Sequence, residues 1–420
     1  MRYIVHTLLW LLLPLWSYGQ FSMDAQIRPR AEFRDGYRQM PAEDSNPGGQ
    51  VNQRTRLSLS YAGDSRVSAR IAIQDLRLWG EVFTMNGEPS FGVYEAWVAL
   101  HPSERLSITA GRQELRYDTQ RLMAINDWAL TGRTHDALVA RFQSEGGSRL
   151  HVGAAFNQSQ NRLFETHYLL NNYKTLNYLW YNTVLGERSR LSLHFIADGY
   201  EHPNDPEDFN LRYTMASYLV YDGGGVEWRL YPAYQFGKTS RGQDISAWYL
   251  MGEAFAPLSE SWRATLGFEL FSGLDQMPTG EPFTVTFTAF SDLYGMGHAR
   301  NGFMDYFTAF PQHTENAGLF NPYLRNAIRL GERSTLDADL HLFFMQSDYP
   351  DPGDPGRAID KYLGTEIDLV YSYQFNEFTQ LQFGYSVLFG SESMEILKGG
   401  SKDEFAHWAF AMIRMTPRFF

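Results

Sequence analysis

Arginine is the residue with chemistry to offer in this chain. Of 36 basic residues all but 5 are arginine, and several recur two or four apart: Arg28, Arg30 and Arg34; Arg54 and Arg56; Arg70 ahead of Gln74. An even spacing places them on one face of a strand. The guanidinium stays charged at any physiological pH, and its planar fork of donors matches a carboxylate or phosphate two bonds at a time. Along a wet path such forks would favour anions, provided the contacts are weak and repeated enough for the solute to leave. A second role is open to the same residues. They could pair across strands with Asp24, Glu32, Glu95, Glu227 and Glu269 and brace a polar interior. Bracing is the expectation for any one arginine. For the early group as a set a functional stripe is expected, because arginine outnumbers acid there.

Other chemistries find little support. The chain has no cysteine, so a thiolate metal site, a Cys nucleophile and a disulfide framework are excluded. Its histidines (His101, His135, His151, His167, His194, His202, His298, His313, His341 and His407) are scattered, with no HExxH pair or other metal spacing. No cofactor is expected. A barrel hydrolase with Ser, His and Asn on its outer wall is a remote alternative. A net charge of −12 argues against general nucleic-acid binding, which depends on neutralising phosphates.

The elements that must position these arginines are strands. In the first, Phe21, Met23, Ala25, Ile27, Pro29, Ala31 and Phe33 share one face, while Asp24, Gln26, Arg28, Arg30, Glu32 and Arg34 share the other. Short charged turns recur along the chain, at Asp64–Arg66, Ser103–Arg105, Gly147–Arg149, Gly186–Arg188, Ser259–Ser261, Gly331–Arg333 and Asn376–Glu377. Between them lie longer connections rich in Gly, Pro, Asn and Asp: Gly36–Gln50, Gly80–Ser90, Arg116–Gly132, Gln158–Tyr173, Glu201–Asp208, Met277–Asn321, Ser347–Asp360 and Ser391–Glu404. Alternating tight and elaborate connections predict an all-β, antiparallel up-and-down transmembrane barrel of about 18 strands, with short periplasmic turns, long extracellular loops and both termini on the short-turn side. Its apolar rows would face lipid and its charged rows a wet lumen. Trp79, Trp180, Tyr181, Trp228, Tyr231, Trp248, Tyr249 and Trp262 are read as interface aromatics. Residues 1–19 read as a signal peptide with a cleavage site after Gly19, leaving 20–420 as one barrel in the outer membrane of a Gram-negative bacterium.

On this parity the lumen is polarised. Arg28, Arg30, Arg34, Arg54, Arg56 and Arg70 make an early basic wall. Arg190, His194, Glu227, Arg229, Arg263, Glu269, Arg325 and Arg329 follow, and the late strands turn acidic with Asp337, Asp339, His341, Glu366 and Asp368. The Met277–Asn321 connection is long and aromatic, and is expected either to fold inward and constrict the pore or to cap it outside.

Four strings, Asn52–Leu59, Gln74–Glu81, Gly111–Leu138 and Leu293–Phe307, resemble the alginate-export family of outer-membrane proteins. The resemblance implies an 18-stranded barrel whose electropositive pore passes a uronic-acid polymer, with loops and turns as gates. Carried over residue by residue, it implies Arg54, Arg56, Arg77, Arg112, Glu114, Arg116, Asp118, Arg121, Asp127, Arg133 and Asp136 as pore residues, beside Arg28, Arg30 and Arg70 from the parity map. Arg77 has the opposite parity to Arg70 and Gln74, so it reaches the lumen only through a bulge or at the rim. The expected solute is an anionic oligo- or polysaccharide or a small carboxylated molecule; a non-selective porin is the alternative. The expected partners are outer-membrane lipid and the barrel-assembly machinery, which would read the terminal Phe420. No nucleic acid is expected.

Overall fold

A computed structural model describes residues 20–63, 66–80, 90–158, 161, 163–164, 172–202, 204–278 and 286–420. The expected signal segment lies outside them. The chain runs β1 (Phe21–Asp35), β2 (Gly48–Ala62), β3 (Val67–Leu78), β4 (Phe91–Ser103), β5 (Leu106–Gln113), β6 (His135–Gln143), β7 (Arg149–Phe156), β8 (Thr175–Leu185), β9 (Ser189–His202) and β10 (Asp205–Asp222). It continues through β11 (Glu227–Lys238), β12 (Asp244–Pro257), β13 (Trp262–Phe271), β14 (Leu319–Arg329) and β15 (Ser334–Phe344). A small hairpin, β16 (Pro350–Asp351) and β17 (Asp354–Ala358), precedes β18 (Tyr362–Asn376), β19 (Thr379–Gly390) and β20 (Ala406–Met415). All but the hairpin form one 18-stranded antiparallel sheet in which each strand pairs with its neighbour in the chain.

The sheet closes where β1 pairs with β20, from Ile27 opposite Met415 to Asp35 opposite His407. The last residues extend the seam: the Met23 amide donates to the Phe420 carbonyl at 3.1 Å, and the Phe419 amide to Met23 at 2.8 Å. Among the described residues, closure leaves the sheet without an open edge, as hydrocarbon surroundings demand. The alternation is inside out relative to a water-soluble protein. Ile71, Leu266 and Phe383 are more than half exposed on the outer surface, whereas Arg54, Glu269 and Glu366 are buried in the interior.

Three connections differ from expectation, one of them the 239–243 link between β11 and β12, which the sequence reading does not mark. Glu201–Asp208 is no long loop, because β9 and β10 continue to His202 and from Asp205. The turn between β10 and β11 at Gly223–Gly225 goes unsignalled in the sequence reading, since it lacks the charged residue that marks the others. Three of the supposed interface aromatics also face inward: Trp180, Tyr231 and Tyr249 are buried in the lumen, while Trp79, Trp228, Trp248 and Trp262 stand on the outer face. Parity decides this. Trp180 shares its face with buried Leu176 and Tyr178.

Candidate functional site

Two long connections fold into the lumen and meet there. One is the β5–β6 segment, 114–134; the other is the described part of the β13–β14 segment, residues 286–318. They join at an isolated parallel bridge between Met123 and Tyr294 and one further backbone bond. The Tyr294 amide donates to the Leu122 carbonyl at 3.0 Å, Ala124 donates back to Tyr294 at 2.9 Å, and Met296 donates to Gln120 at 3.0 Å. Phe290, Met304, Tyr306, Phe307 and Phe310 are all buried, and Phe310 stacks on Phe271 of the wall at 3.9 Å between ring centroids. Of the two expectations for the aromatic segment, the inward fold is the one observed.

The polarised wall holds this partition through backbone groups. On the basic side, Arg28 donates to the carbonyls of Asp127, Trp128 (3.1 Å) and Ala129 (3.2 Å). Arg30 donates to Trp128 at 3.2 Å, and Arg54 donates to the Asp127 and Ala129 carbonyls, at 3.3 Å each. Arg54 also pairs with the Asp127 carboxylate, near which Arg28 and Arg414 lie at 3.8 and 3.6 Å. On the acidic side, Glu366 accepts from the Met304 amide at 2.8 Å and Asp368 from Phe303 at 3.4 Å. Arginines thus take the carbonyls of one segment, and carboxylates take the amides of the other. Gly302, at φ 80°, lets the backbone approach Glu366 so closely that any side chain there would collide with the carboxylate.

Two further contacts lock the centre. Arg121 is fully buried, pairs with Glu269 of β13 and donates to the Met296 carbonyl at 3.2 Å; Tyr249 supports Glu269 at 3.0 Å. Trp128 is sandwiched between the Arg30 guanidinium, 4.0 Å from its ring centroid, and the His298 ring, stacked at 3.9 Å and 5°. His298 in turn bonds Asp305 at 2.6 Å, and Asp305 accepts from Tyr37 and Arg38.

The remaining expected pore residues fall into two groups. Arg56 donates to Gln74 at 2.8 Å and lies over the Tyr94 ring; Arg70 bridges Glu95 at 2.9 Å and Asp24 at 3.3 Å; Glu114 accepts from Tyr94 at 2.8 Å. Asp118 accepts from the Trp180 indole at 3.1 Å, Arg133 donates to the Tyr294 and Gly295 carbonyls, and Arg116 projects into open space. These all face the lumen. Arg77, Arg112 and Asp136 do not. Arg112 and Asp136 are opposite each other on β5 and β6, on the face shared with exposed Leu138, and pair at 2.7 Å. Arg77 pairs with Asp75 on the outer face of β3 at 2.6 Å. The nearby bulge adds Tyr94 to β4, so the parity of β3 continues unbroken and Arg77 stays outside. The expectation that these three line the pore is corrected accordingly.

Electrostatics in the segments follow the packing. Burial opposes ionisation of Asp127, but Arg54 and Arg28 outweigh it and hold the carboxyl below the usual range. Asp292 is the reverse case: burial pushes it up to about 6 despite Arg121 and Arg133. Burial takes His313 down to about 4.

Open volume remains on both sides of the partition. On the long-loop side a cavity of about 800 Å³ is lined by Arg133, Arg212, Lys238 and Arg241 against Asp292. On the short-turn side a cavity of about 390 Å³ carries Arg116, Arg149, Arg190 and Arg229 against Asp118 and Glu227. Beside it a cavity of about 540 Å³ carries Arg229, Arg263 and Arg325 against Asp337 and Asp339. Cations outnumber acids in each, although the chain as a whole is acidic. The sequence reading gives Arg149 only as a turn residue and does not mark Arg212 or Arg241. Parity marks the first two, since Arg149 precedes inward Gly153 and Ala155, and Arg212 precedes inward Thr214 and Ala216. Among the described residues no group of His, Asp and Glu side chains has metal-binding geometry.

Comparison with known proteins gives the architecture a lineage. No curated protein matches the sequence. Similar solved barrels include Acinetobacter baumannii OccAB4 (TM-score 0.63, 10% identity, covering 96% of this chain and 99% of that one). Pseudomonas aeruginosa OpdL (0.63, 14%, 95% and 99%) is another, as is P. aeruginosa OpdK solved with vanillate (0.62, 11%, 96% and 100%). At these identities the likeness is one of fold. The profile of the family described as alginate export matches residues 19–396, nearly the whole barrel. The chain therefore belongs to the alginate-export family, as an outer-membrane β-barrel channel of Gram-negative bacteria whose outward face meets lipid.

Proposed function

We propose that this channel passes anionic saccharides of the uronate type, or other carboxylated solutes, through a bore lined by arginine. The observation that carries the reading is the excess of cations over acids in the cavity of about 800 Å³ on one side of the partition and that of about 390 Å³ on the other, in a chain of net charge −12. Such a lining concentrates anions locally and leaves whole-protein charge irrelevant to the solute. A carboxylated solute also suits the guanidinium fork, which it engages by two parallel bonds. Arg28, Arg30 and Arg54 act in this reading by holding the partition, and Arg56, Arg70, Arg116 and Arg133 by facing the path with Glu114, Asp118, Asp127 and Arg121 around it. Residues 1–19 serve as the export signal, and the terminal Phe420, paired into the seam through Met23, is the feature the assembly machinery reads.

The test is flux of labelled D-galacturonate against D-galactose, two solutes of nearly equal size, into proteoliposomes. Faster entry of galacturonate is expected. Equal entry would favour a non-selective diffusion pore.

A further inference from the structure

The lipid-facing wall is not equally tall around the barrel. On β10 the outward row carries Phe209, Leu211, Tyr213, Met215, Leu219 and Tyr221. At a rise of about 3.3 Å per residue and a tilt of about 40°, that row stands about 30 Å high, enough for the ~25 Å apolar band of a membrane barrel. On β6 the outward row is only Phe142, Ala140 and Leu138 before it reaches exposed Asp136; on β5 it is Leu106, Ile108 and Ala110 before exposed Arg112. Those rows stand about 10 Å high on the same geometry. Neighbouring strands repeat the pattern toward the long-loop side: Thr55 follows Leu57 on β2, Asp75 follows Ile73 on β3, and exposed Asn177 follows Leu179 on β8. Strand lengths agree, with 8, 9 and 8 residues in β5, β6 and β7 against 18 in β10.

A charged side chain on the lipid face is destabilising within the apolar band, and a wall shorter than the hydrocarbon forces the bilayer to thin against it. A protein surface of the same height removes both costs. The Arg112–Asp136 pair says which surface fits. It is closed by two bonds, at 2.9 and 2.7 Å, and carries no net charge, so it does not call for an anionic lipid headgroup. Its members are direct partners on adjacent strands, side by side around the circumference. A two-fold rotation about the membrane normal keeps their level and exchanges their sides. With the axis between β5 and β6, Arg112 of one copy therefore faces Asp136 of the other, an isologous contact. Ala96, opposite Arg112, and Ala110 and Ala154, beside Leu138, are small enough to let two such walls approach closely. We infer that the outward face of β5 and β6 is a docking surface for a second copy of this chain in the plane of the membrane. Lateral assembly of this kind is independent of the solute the channel passes.

The test is site-directed cross-linking of the full channel in proteoliposomes. The chain has no cysteine, so one introduced thiol reports one site. Leu138→Cys lies on the low wall, and Leu340→Cys lies outward on β15, on the far side of the barrel. A short bismaleimide should link Leu138→Cys into dimers and leave Leu340→Cys at least about tenfold less linked. Adding Arg112→Leu/Asp136→Leu, which makes the wall apolar, should lower the Leu138→Cys yield by about tenfold or more. Arg112→Asp should lower it too, by setting acid against acid, and the exchange Arg112→Asp/Asp136→Arg should restore it. Circular dichroism of each variant checks that the barrel forms. Equal yields at the two sites, or a Leu138→Cys yield unchanged by Arg112→Leu/Asp136→Leu, overturn the docking surface. A channel that stays monomeric in the bilayer overturns it as well and leaves thinned lipid against the low wall.

Discussion

Replacing Arg121 with Met should open the partition. Arg121 and Glu269 are both buried to about 1% exposure or less, so the variant leaves a carboxylate inside with the Tyr249 hydroxyl and Arg300, 3.7 Å away, as its remaining partners. Breaking a buried pair in this way costs about 3–5 kcal/mol. The two surviving partners place the cost near the low end, about 3 kcal/mol, on the order of a hundredfold in an equilibrium. That energy falls on the junction itself, since Arg121 also holds the Met296 carbonyl where the two segments meet. In single-channel recordings the fraction of time in a high-conductance state should rise by about that factor. The double variant Arg121→Met/Glu269→Met removes both charges and substitutes apolar volume beside Phe271 and Phe310. It should return to within a few-fold of wild type, because a buried pair exchanged for well-packed apolar groups is often close to neutral. The reasoning fails if the single variant opens no more often than wild type, or if the double variant is as leaky as the single one.

Three further outcomes are expected. Asp292, raised by burial to about 6, binds its proton more tightly in the folded state, so the packing of the 286–318 segment should be firmest below pH ~4 and weaken as pH rises to about 6, by about 3 kcal/mol in all. Proteolysis of that segment across this window should follow the same course, and Asp292→Asn should flatten it. Asp127, held low by Arg54 and Arg28 against burial, contributes above the ordinary Asp range and loses its contribution as pH falls through its own lowered value; spectral change at Trp128 should therefore appear only in stronger acid, and Asp127→Asn should show it already at neutral pH. Neutralising the outward pair, Arg112→Gln/Asp136→Asn, should leave ion selectivity unchanged, as measured by reversal potential, because that pair faces away from the bore.

Period-two alternation made the barrel legible, since the hydrophobic rows must face lipid and a strand has only two faces. It located Arg28, Arg54, Glu269, Glu366 and Asp368 on the lumen wall without any structure. Alternation says nothing about segments that are not strands. That two connections meet at Tyr294 and Leu122, and that Arg28 and Arg54 are engaged by carbonyls of residues 127–129, depends on long-range packing with no local pattern. Arg112 and Asp136 lay in a string whose family resemblance covers strand ends as well as the inward segment, so parity and not resemblance was the better guide there. Trp180, Tyr231 and Tyr249 lie in mid-strand, where their parity with buried Leu176, Ala233 and Ala247, and not their aromatic type, marks them as lumen residues.

The most direct measurement is the reversal potential of the purified channel in a planar bilayer under a KCl gradient. An arginine-lined path predicts a potential whose sign is set by chloride, moving toward zero when Arg116, Arg149 and Arg190 are changed together to Gln. A potential set by potassium in the unaltered protein would contradict the account.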